Sequence, residues 1–221
     1  MSLQLVNATA VIAARQFNPS IVRDHWLIQN GIIEPDDLQP GCVFTDMLVQ
    51  LRSRRFHLLV APEQCQFTPL VAPDEQQRVV VDKVGTIVRT LPHTPFTALG
   101  LNFQWRLVPE NTTVEAISRR LFFVPDSPIH RELDSDDARF GGYISKDVLG
   151  FRLRMNVKPV IQVDNDEERS LLQFGFNFHL ELSENPEERI AAIENALNRW
   201  NEARAESERL SQLATAEDLD E

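Results

Sequence analysis

Three stretches of the chain alternate apolar and polar residues with a period of two. Odd positions are apolar in 99–107 and in 151–157, and even positions are apolar in 172–182. Successive side chains of a β-strand point to opposite sides of a sheet, so each stretch predicts a strand with one buried and one polar face. This pattern is typical of an antiparallel sheet that is covered on one side only.

Four segments carry helix signals instead. Asn18 and Pro19 precede the first, and the second starts at Asp74 and stops before Pro92. The third starts with the capping-box pattern of 111–115, and the fourth follows Asn185 with an apolar stripe that ends at Trp200. Cap residues followed by apolar residues at spacings of three and four predict amphipathic helices.

The remaining strands are predicted at 4–15, 42–52, 55–61, 65–71 and 140–147, which gives the element order βαβββα twice. The fold class is therefore predicted as α+β, with two duplicated halves, 1–93 and 94–205, that form one continuous pseudo-symmetric domain. Residues 206–221 are predicted to be an acidic C-terminal tail. Two thin halves would bury their sheets most simply by joining edges into one curved antiparallel sheet with the helices packed on one face.

This order of elements resembles that of the TATA-binding-protein class of duplicated folds. The resemblance covers the architecture of most of the chain and no specific motif, and it implies a saddle-shaped sheet with an open concave face. The chain departs from that class in having one strand fewer in each half and a pI near 4.9. A fold resemblance of this kind does not transfer function.

Charge narrows the classes of partner. The formal net charge is −11, and 184–221 contains eleven acidic and four basic residues, which contribute −7. Binding to nucleic acid or anionic lipid is driven by cations, so neither partner is expected. The two cysteines, Cys42 and Cys65, are too few for a disulfide framework. With neither a signal-peptide pattern nor a membrane-span pattern, we expect a cytoplasmic protein.

The polar sides of the predicted strands supply the candidate binding residues. Pairing of 151–158 with 172–182 would bring polar and basic side chains together, and 99–107 would add one more cation if it belongs to the same sheet. The predicted partner-binding residues are Arg106, Arg152, Arg154, Lys158, Asn177 and His179. The alternative interpretation of this face is the wet side of a one-sided sheet. The aromatic residues of these strands lie on the apolar side, which weakens the case for nucleic acid because bases need exposed rings to stack on.

An acidic loop offers the only candidates for a metal. It contains His130, Glu132, Asp134, Asp136 and Asp137, and such oxygen-rich clusters can hold Mg²⁺ or Ca²⁺. Their spacing lacks the glycine and distal glutamate of an EF-hand loop. A solvated insertion without metal is therefore the expectation, and no cofactor is expected elsewhere.

No catalytic motif is present in the sequence: we find neither a nucleophile elbow nor a phosphate-binding glycine loop. The leading hypothesis is a non-enzymatic interaction protein, an adaptor, inhibitor or assembly subunit, that binds another protein through the polar sheet face or the acidic C-terminal helix. A homo-oligomer is also compatible with the sequence. The alternatives are a small-ligand-binding protein with a pocket between sheet and helices, and a metal-dependent hydrolase that uses the 130–137 loop.

Overall fold

The alternating stretches and the capped segments form the strands and helices of an α+β fold. The computed structural model describes residues 1–164 and 167–215, which contain nine strands and six α-helices. The strands are β1 (Ser2–Ala14), β2 (Val43–Phe44), β3 (Val49–Arg52), β4 (Phe56–Ala61), β5 (Gln64–Pro69), β6 (Phe96–Val108), β7 (Gly142–Val148), β8 (Phe151–Asp164) and β9 (Glu167–Glu181). The helices are α1 (Asp24–Gln29), α2 (Pro73–Thr90), α3 (Val114–Phe122), α4 (Pro128–Glu132), α5 (Pro186–Leu197) and α6 (Trp200–Gln212).

All nine strands belong to one open antiparallel sheet. Its order is β2-β3-β4-β5-β1-β6-β9-β8-β7, so the long strands β1 and β6 pair near its middle. The three alternating stretches become the adjacent strands β6, β9 and β8, with Trp105 opposite Phe174 and Met155 opposite Phe176. This register puts the apolar sides of the three strands on the same face.

The helices cover that apolar face. The ring centroids of Phe103 on β6 and Trp200 at the start of α6 lie 4.9 Å apart, and Trp200 is fully buried. Small buried residues, Ala203, Ser207 and Ser211, let α6 approach the sheet closely. The core therefore lies between one side of the sheet and the helices, as expected for a sheet that buries a single face.

Two predicted elements differ in detail. The segment 42–52 forms two strands, because Thr45 bonds with Leu48 in a tight turn between β2 and β3. The first helix begins at Asp24 and not near residue 18, since Asn18 Oδ1 accepts hydrogen bonds from Ser20 and holds a turn. Asparagine side chains commonly stabilise such turns in competition with helix.

The fourth predicted helix begins as expected but ends at Leu197, before Trp200. Asn185 caps α5 by accepting a hydrogen bond from the Glu187 amide at 3.0 Å. A second helix, α6, follows and runs to Gln212, so the predicted tail is helical in its first part, and Ser207 and Ala214 within it are buried. The rest of that tail, 216–221, lies outside the described residues. Within the described ranges, no helix is long and apolar enough to cross a membrane.

Candidate functional site on the open sheet face

The polar sides of the strands form a second sheet face, which we call the open face. In β6 the buried odd positions alternate with half-buried Asn102, Gln104 and Arg106. The helices pack on the opposite side, so these side chains face solvent. The alternation thus separates a face that supplies stability from a face that can contact a partner.

The structure places all six predicted residues on the open face. Arg152 lies opposite His179, Arg154 opposite Asn177, and Lys158 opposite Gln173 across the β8–β9 pair. Arg106 on β6 also lies opposite Gln173. Directly opposed residues have their Cβ atoms about 5 Å apart, so the six side chains form one continuous surface.

Other residues of this face escaped the sequence analysis. The first half contributes polar side chains from β1, β3, β4 and β5, namely Asn7, Thr9, Gln50, Arg52, His57, Gln66 and Thr68. The edge strand β7 adds Tyr143, which is 64% exposed. The signal for β5 was available, because its Cys65, Phe67 and Pro69 are buried and alternate with polar residues. Tyr143 could not be assigned because the pattern of β7 is mixed.

The open face carries a local charge opposite to that of the whole chain. Apart from the tip of the β8–β9 hairpin, its described cations are Arg52, Arg106, Arg152, Arg154 and Lys158. Its described carboxylates in the same area are Asp147 and Glu181. A net positive surface on a protein of net charge −11 favours contact with an anionic partner.

Side-chain hydrogen bonds fix several amides of this face. Asn177 Nδ2 donates to Asn102 Oδ1 at 2.6 Å, and Gln104 Nε2 donates to Gln173 Oε1 at 2.6 Å. Arg106 Nη1 donates to Gln162 Oε1 at 3.0 Å. Such networks hold side chains in one orientation, which lowers the entropy that a binding surface loses on contact.

Arg154 and Lys158 on β8 differ from Arg152 on the same strand in their side-chain partners. Arg152 forms a 3.2 Å ion pair with Asp147. In contrast, Arg154 and Lys158 have neither a hydrogen bond nor an ion pair to any of the described side chains, those of 1–163 and 168–215. Their charges are therefore available to a partner.

A shallow hollow lies among these residues at the middle of β9. Gly175 forms its floor, opposite Gln104 on β6 and Asn156 on β8. The hollow has a volume of about 340 Å³, and its polar lining includes Asn102, Gln104, Tyr143, Arg154, Asn156 and Asn177. Carboxamides, a hydroxyl and a guanidinium supply several donors around one concave point, as polar ligand groups require.

His179 lies beside the hollow in an electropositive setting. Partial burial lowers the pKa of its imidazole, the neighbouring Arg154 lowers it further, and Glu181 opposes the shift. Its neutral form is therefore favoured near neutral pH.

A second depression, of about 550 Å³, lies at the end of β9 that carries His179. It is bordered by Arg15, Glu184 and the buried Arg189, whose guanidinium donates to three backbone carbonyls.

The acidic loop has a structural role in the described chain. His130 Nδ1 accepts a hydrogen bond from the Val124 amide at 2.9 Å, and its ring stacks on Phe123. Asp134 pairs with Arg119, and Asp137 accepts from the Ser135 hydroxyl, which lowers the pKa of its carboxyl group. Glu132 and Asp136 are the other two metal candidates of the loop. The described residues contain no group of three potential ligands that could hold a metal ion, so the five candidates do not form a metal site there.

Two further hypotheses, the ligand pocket between sheet and helices and the contact through the acidic helix, concern the helical side of the sheet. At the interface where a ligand pocket was predicted, Phe103, Phe178 and Trp200 are almost fully buried and pack against one another. On the acidic helix α6, Glu202 pairs with Arg199 and Glu206 with Arg209. These pairs reduce the charge that the helix presents to a partner.

Comparison with known proteins adds no relative. No family model matches the chain, and neither the curated proteins nor the solved structures contain a match.

Proposed function

We propose that this chain is a non-enzymatic interaction protein, an adaptor, inhibitor or assembly subunit, that binds a protein partner through the open face. One observation carries the proposal: a wide, half-exposed polar surface with net positive charge lies on a protein of net charge −11. A cationic patch on an acidic protein steers acidic partners to one side and repels them elsewhere. The acidic helix α6 is the alternative contact, and its paired carboxylates make it the weaker one.

A protein partner fits this face better than nucleic acid. Single-stranded nucleic acid is held by several exposed aromatic rings along a basic groove. Tyr143 is the exposed ring on the described part of the open face, because Trp105, Phe174 and their apolar neighbours point into the core. The carboxamides of the face suit peptide groups, since each one both donates and accepts hydrogen bonds.

The duplicated architecture and its resemblance to the TATA-binding-protein class remain part of the proposal. The central pairing of β1 with β6, each of them followed by a helix, supports two related halves. The first half has five strands and the second has four, so the halves differ in detail. A duplication of this kind would give the open face two similar contact areas.

We also propose a cytoplasmic setting, on the basis of the two cysteines. Cys42 and Cys65 are both free thiols, which supports a reducing compartment such as the cytoplasm.

A homo-oligomer would be compatible with an uncovered polar face, but like charges on two copies would oppose face-to-face contact.

Site-specific photo-crosslinking in the source cells tests the proposal. A benzophenone amino acid is placed at Asn156 or Gln66 on the open face, and at Arg78 or Ala205 on exposed positions of α2 and α6. We expect a crosslinked protein of defined mass from the two face positions and none from the helix positions. Crosslinks from Ala205 alone would move the contact to α6, and equal labelling at all four positions would overturn the proposal.

Charge reversal supplies the second arm of that experiment. The double variant R154E/K158E should lose the crosslink at Gln66, whereas R78E should keep it, because Arg78 lies on α2 beside Glu75. The crosslink should also weaken as the ionic strength rises, since exposed charges are screened within about 10 Å at 0.1 M salt. A crosslink that is indifferent to both changes would contradict the electrostatic basis of the proposal.

A further inference from the structure

Gly175 lacks a backbone reason to be glycine. Its φ is not in the left-handed region, and a Cβ atom would meet only the Asn156 carbonyl oxygen, at an ordinary contact distance of 3.8 Å. Glycine inside a strand costs about 0.5–1 kcal/mol relative to alanine. Such a position often marks the place where another molecule comes close to the backbone.

Gly100, on the neighbouring strand, shows the contrast. A Cβ atom there would lie 2.8 Å from Asn177 Nδ2, so Gly100 makes room for the amide pair of Asn177 and Asn102. Packing within the sheet thus explains Gly100. No side chain of the described sheet fills the space above Gly175, and Gly175 itself forms the floor of the hollow.

The groups around that space select the chemistry of an occupant. Arg154 lines the hollow with no ion pair in the described chain, and Tyr143 and Asn156, which carry a hydroxyl and a carboxamide, line it as well. A guanidinium binds a carboxylate through two parallel hydrogen bonds, and amide N–H and hydroxyl groups can complete the set. An acidic side chain satisfies these donors better than a neutral one.

Lys158 extends the match along the same strand. It lies four residues from Arg154 on the same side of β8, which corresponds to about 13 Å at the usual rise of a strand. Two cations at this spacing, without an ion pair among the described side chains, fit two carboxylates of one extended segment. A single free anion would engage only one of them.

We propose that the hollow above Gly175 receives an aspartate or glutamate side chain from an extended acidic segment of the protein partner, with Arg154 binding the carboxylate and Lys158 a second one. This inference rests on the proposed function and specifies the chemistry of the partner. The hollow would then determine which segments the open face accepts.

The test uses a labelled hexaglutamate peptide as the probe and a hexaglutamine peptide of the same length as its control. The full chain is titrated, and binding is followed by the backbone and side-chain amide signals in ¹H–¹⁵N NMR spectra. We expect hexaglutamate to shift the side-chain signals of Asn156, Asn177 and Arg154, and hexaglutamine to leave them unchanged. The pair between Arg154 and a glutamate carboxylate should make hexaglutamate bind at least about tenfold more tightly than hexaglutamine.

Four variants localise the effect. R154Q and G175L should each weaken hexaglutamate binding about tenfold, the first by removing the charge and the second by filling the hollow. A61L is the matched control, because it adds the same side chain to the open face on β4, away from the hollow. R154K should restore part of the affinity lost in R154Q, since it keeps the charge without the two-point geometry.

The outcomes separate this inference from the proposed function. Equal binding of both peptides, or shifts confined to the helices, would overturn the acidic-segment inference. Binding of a hexathymidylate strand in place of hexaglutamate would also overturn it and would indicate nucleic acid. If the photo-crosslinks at Asn156 and Gln66 form while hexaglutamate fails to bind, the docking role stands and the inference about the acidic side chain falls.

Discussion

The side-chain amide of Asn177 on β9 donates a 2.6 Å hydrogen bond to Asn102 Oδ1 on β6, in the space that Gly100 leaves open beside it. The two residues are directly opposed in the sheet. This pair fixes the edge of the hollow above Gly175. The orientation of the amides therefore depends on a glycine two residues along the strand from Asn102.

Replacement of Gly100 by alanine should displace the Asn177 amide. The lost hydrogen bond costs about 0.5–1.5 kcal/mol, and removal of a strand glycine returns about 0.5–1 kcal/mol, so overall stability should change little. The side-chain amide signals of Asn177 and Asn102 in NMR spectra should move markedly. G175A is the matched control and should leave both signals in place. Unchanged signals in G100A would show that the amide pair does not depend on the glycine.

Ser207→Ala should destabilise the fold by about 1–3 kcal/mol, because it leaves a buried indole donor without a partner. Trp105 Nε1 donates to Ser207 Oγ at 2.8 Å in the interface between β6 and α6. Ser211→Ala is the control: its buried hydroxyl donates only to the Ser207 carbonyl within the same helix, and alanine favours helix. Urea unfolding at constant slope measures both changes. Equal losses in the two variants would contradict a specific role for the indole bond.

His179 should titrate below its ordinary range. Partial burial and Arg154 lower its pKa, and Glu181 opposes them, so R154Q should raise the pKa and E181Q should lower it further. Arg152 lies directly opposite on β8 and is paired with Asp147. The ¹H–¹³C signals of the imidazole, followed from pH 8 to pH 4, report the shift directly. An unshifted pKa in R154Q would remove Arg154 as a cause.

The same shift predicts the direction of one pH effect on stability. Because the folded-state pKa is the lower one, the unfolded chain binds more protons between the two values, and stability rises with pH across that window. The contribution of His179 is therefore present above its unfolded pKa of about 6.5 and falls as the pH decreases below it. H179Q should show a flatter stability profile between pH 7 and pH 5, measured by urea unfolding.

The Cys65 thiol should stay unreactive in the folded protein. Burial raises its pKa to about 12, so almost none of it is thiolate at neutral pH. In C42S, labelling by iodoacetamide at pH 8 should wait until urea unfolds the chain. Rapid labelling of native C42S would contradict the packing of β5. C65S serves as the control, in which Cys42, half-buried, remains the only thiol of the chain.

Local chemistry made part of the site predictable. The alternation in β6, β8 and β9 assigns Arg106, Arg154 and Asn177 to the polar sides of their own strands without tertiary information. That these sides form one face depends on the pairing of the three strands. The contributions of β7 and the hollow were not predictable in the same way. The sequence of β7 mixes apolar and polar residues on both sides, so Tyr143 could be assigned only from its register with Asn156.

The fold, like the site, was predictable from the sequence only in part. Alternation and capping determine the α+β class, the strands β6, β8 and β9 and the cap of α5 at Asn185, because these depend on residues close together in the chain. The tertiary structure alone decides that β1 pairs with β6 at the centre, that α6 packs through Ser207, and that Gly175 lies open among seven polar side chains. Strand order and register depend on contacts between residues far apart in sequence, whose packing no local pattern records.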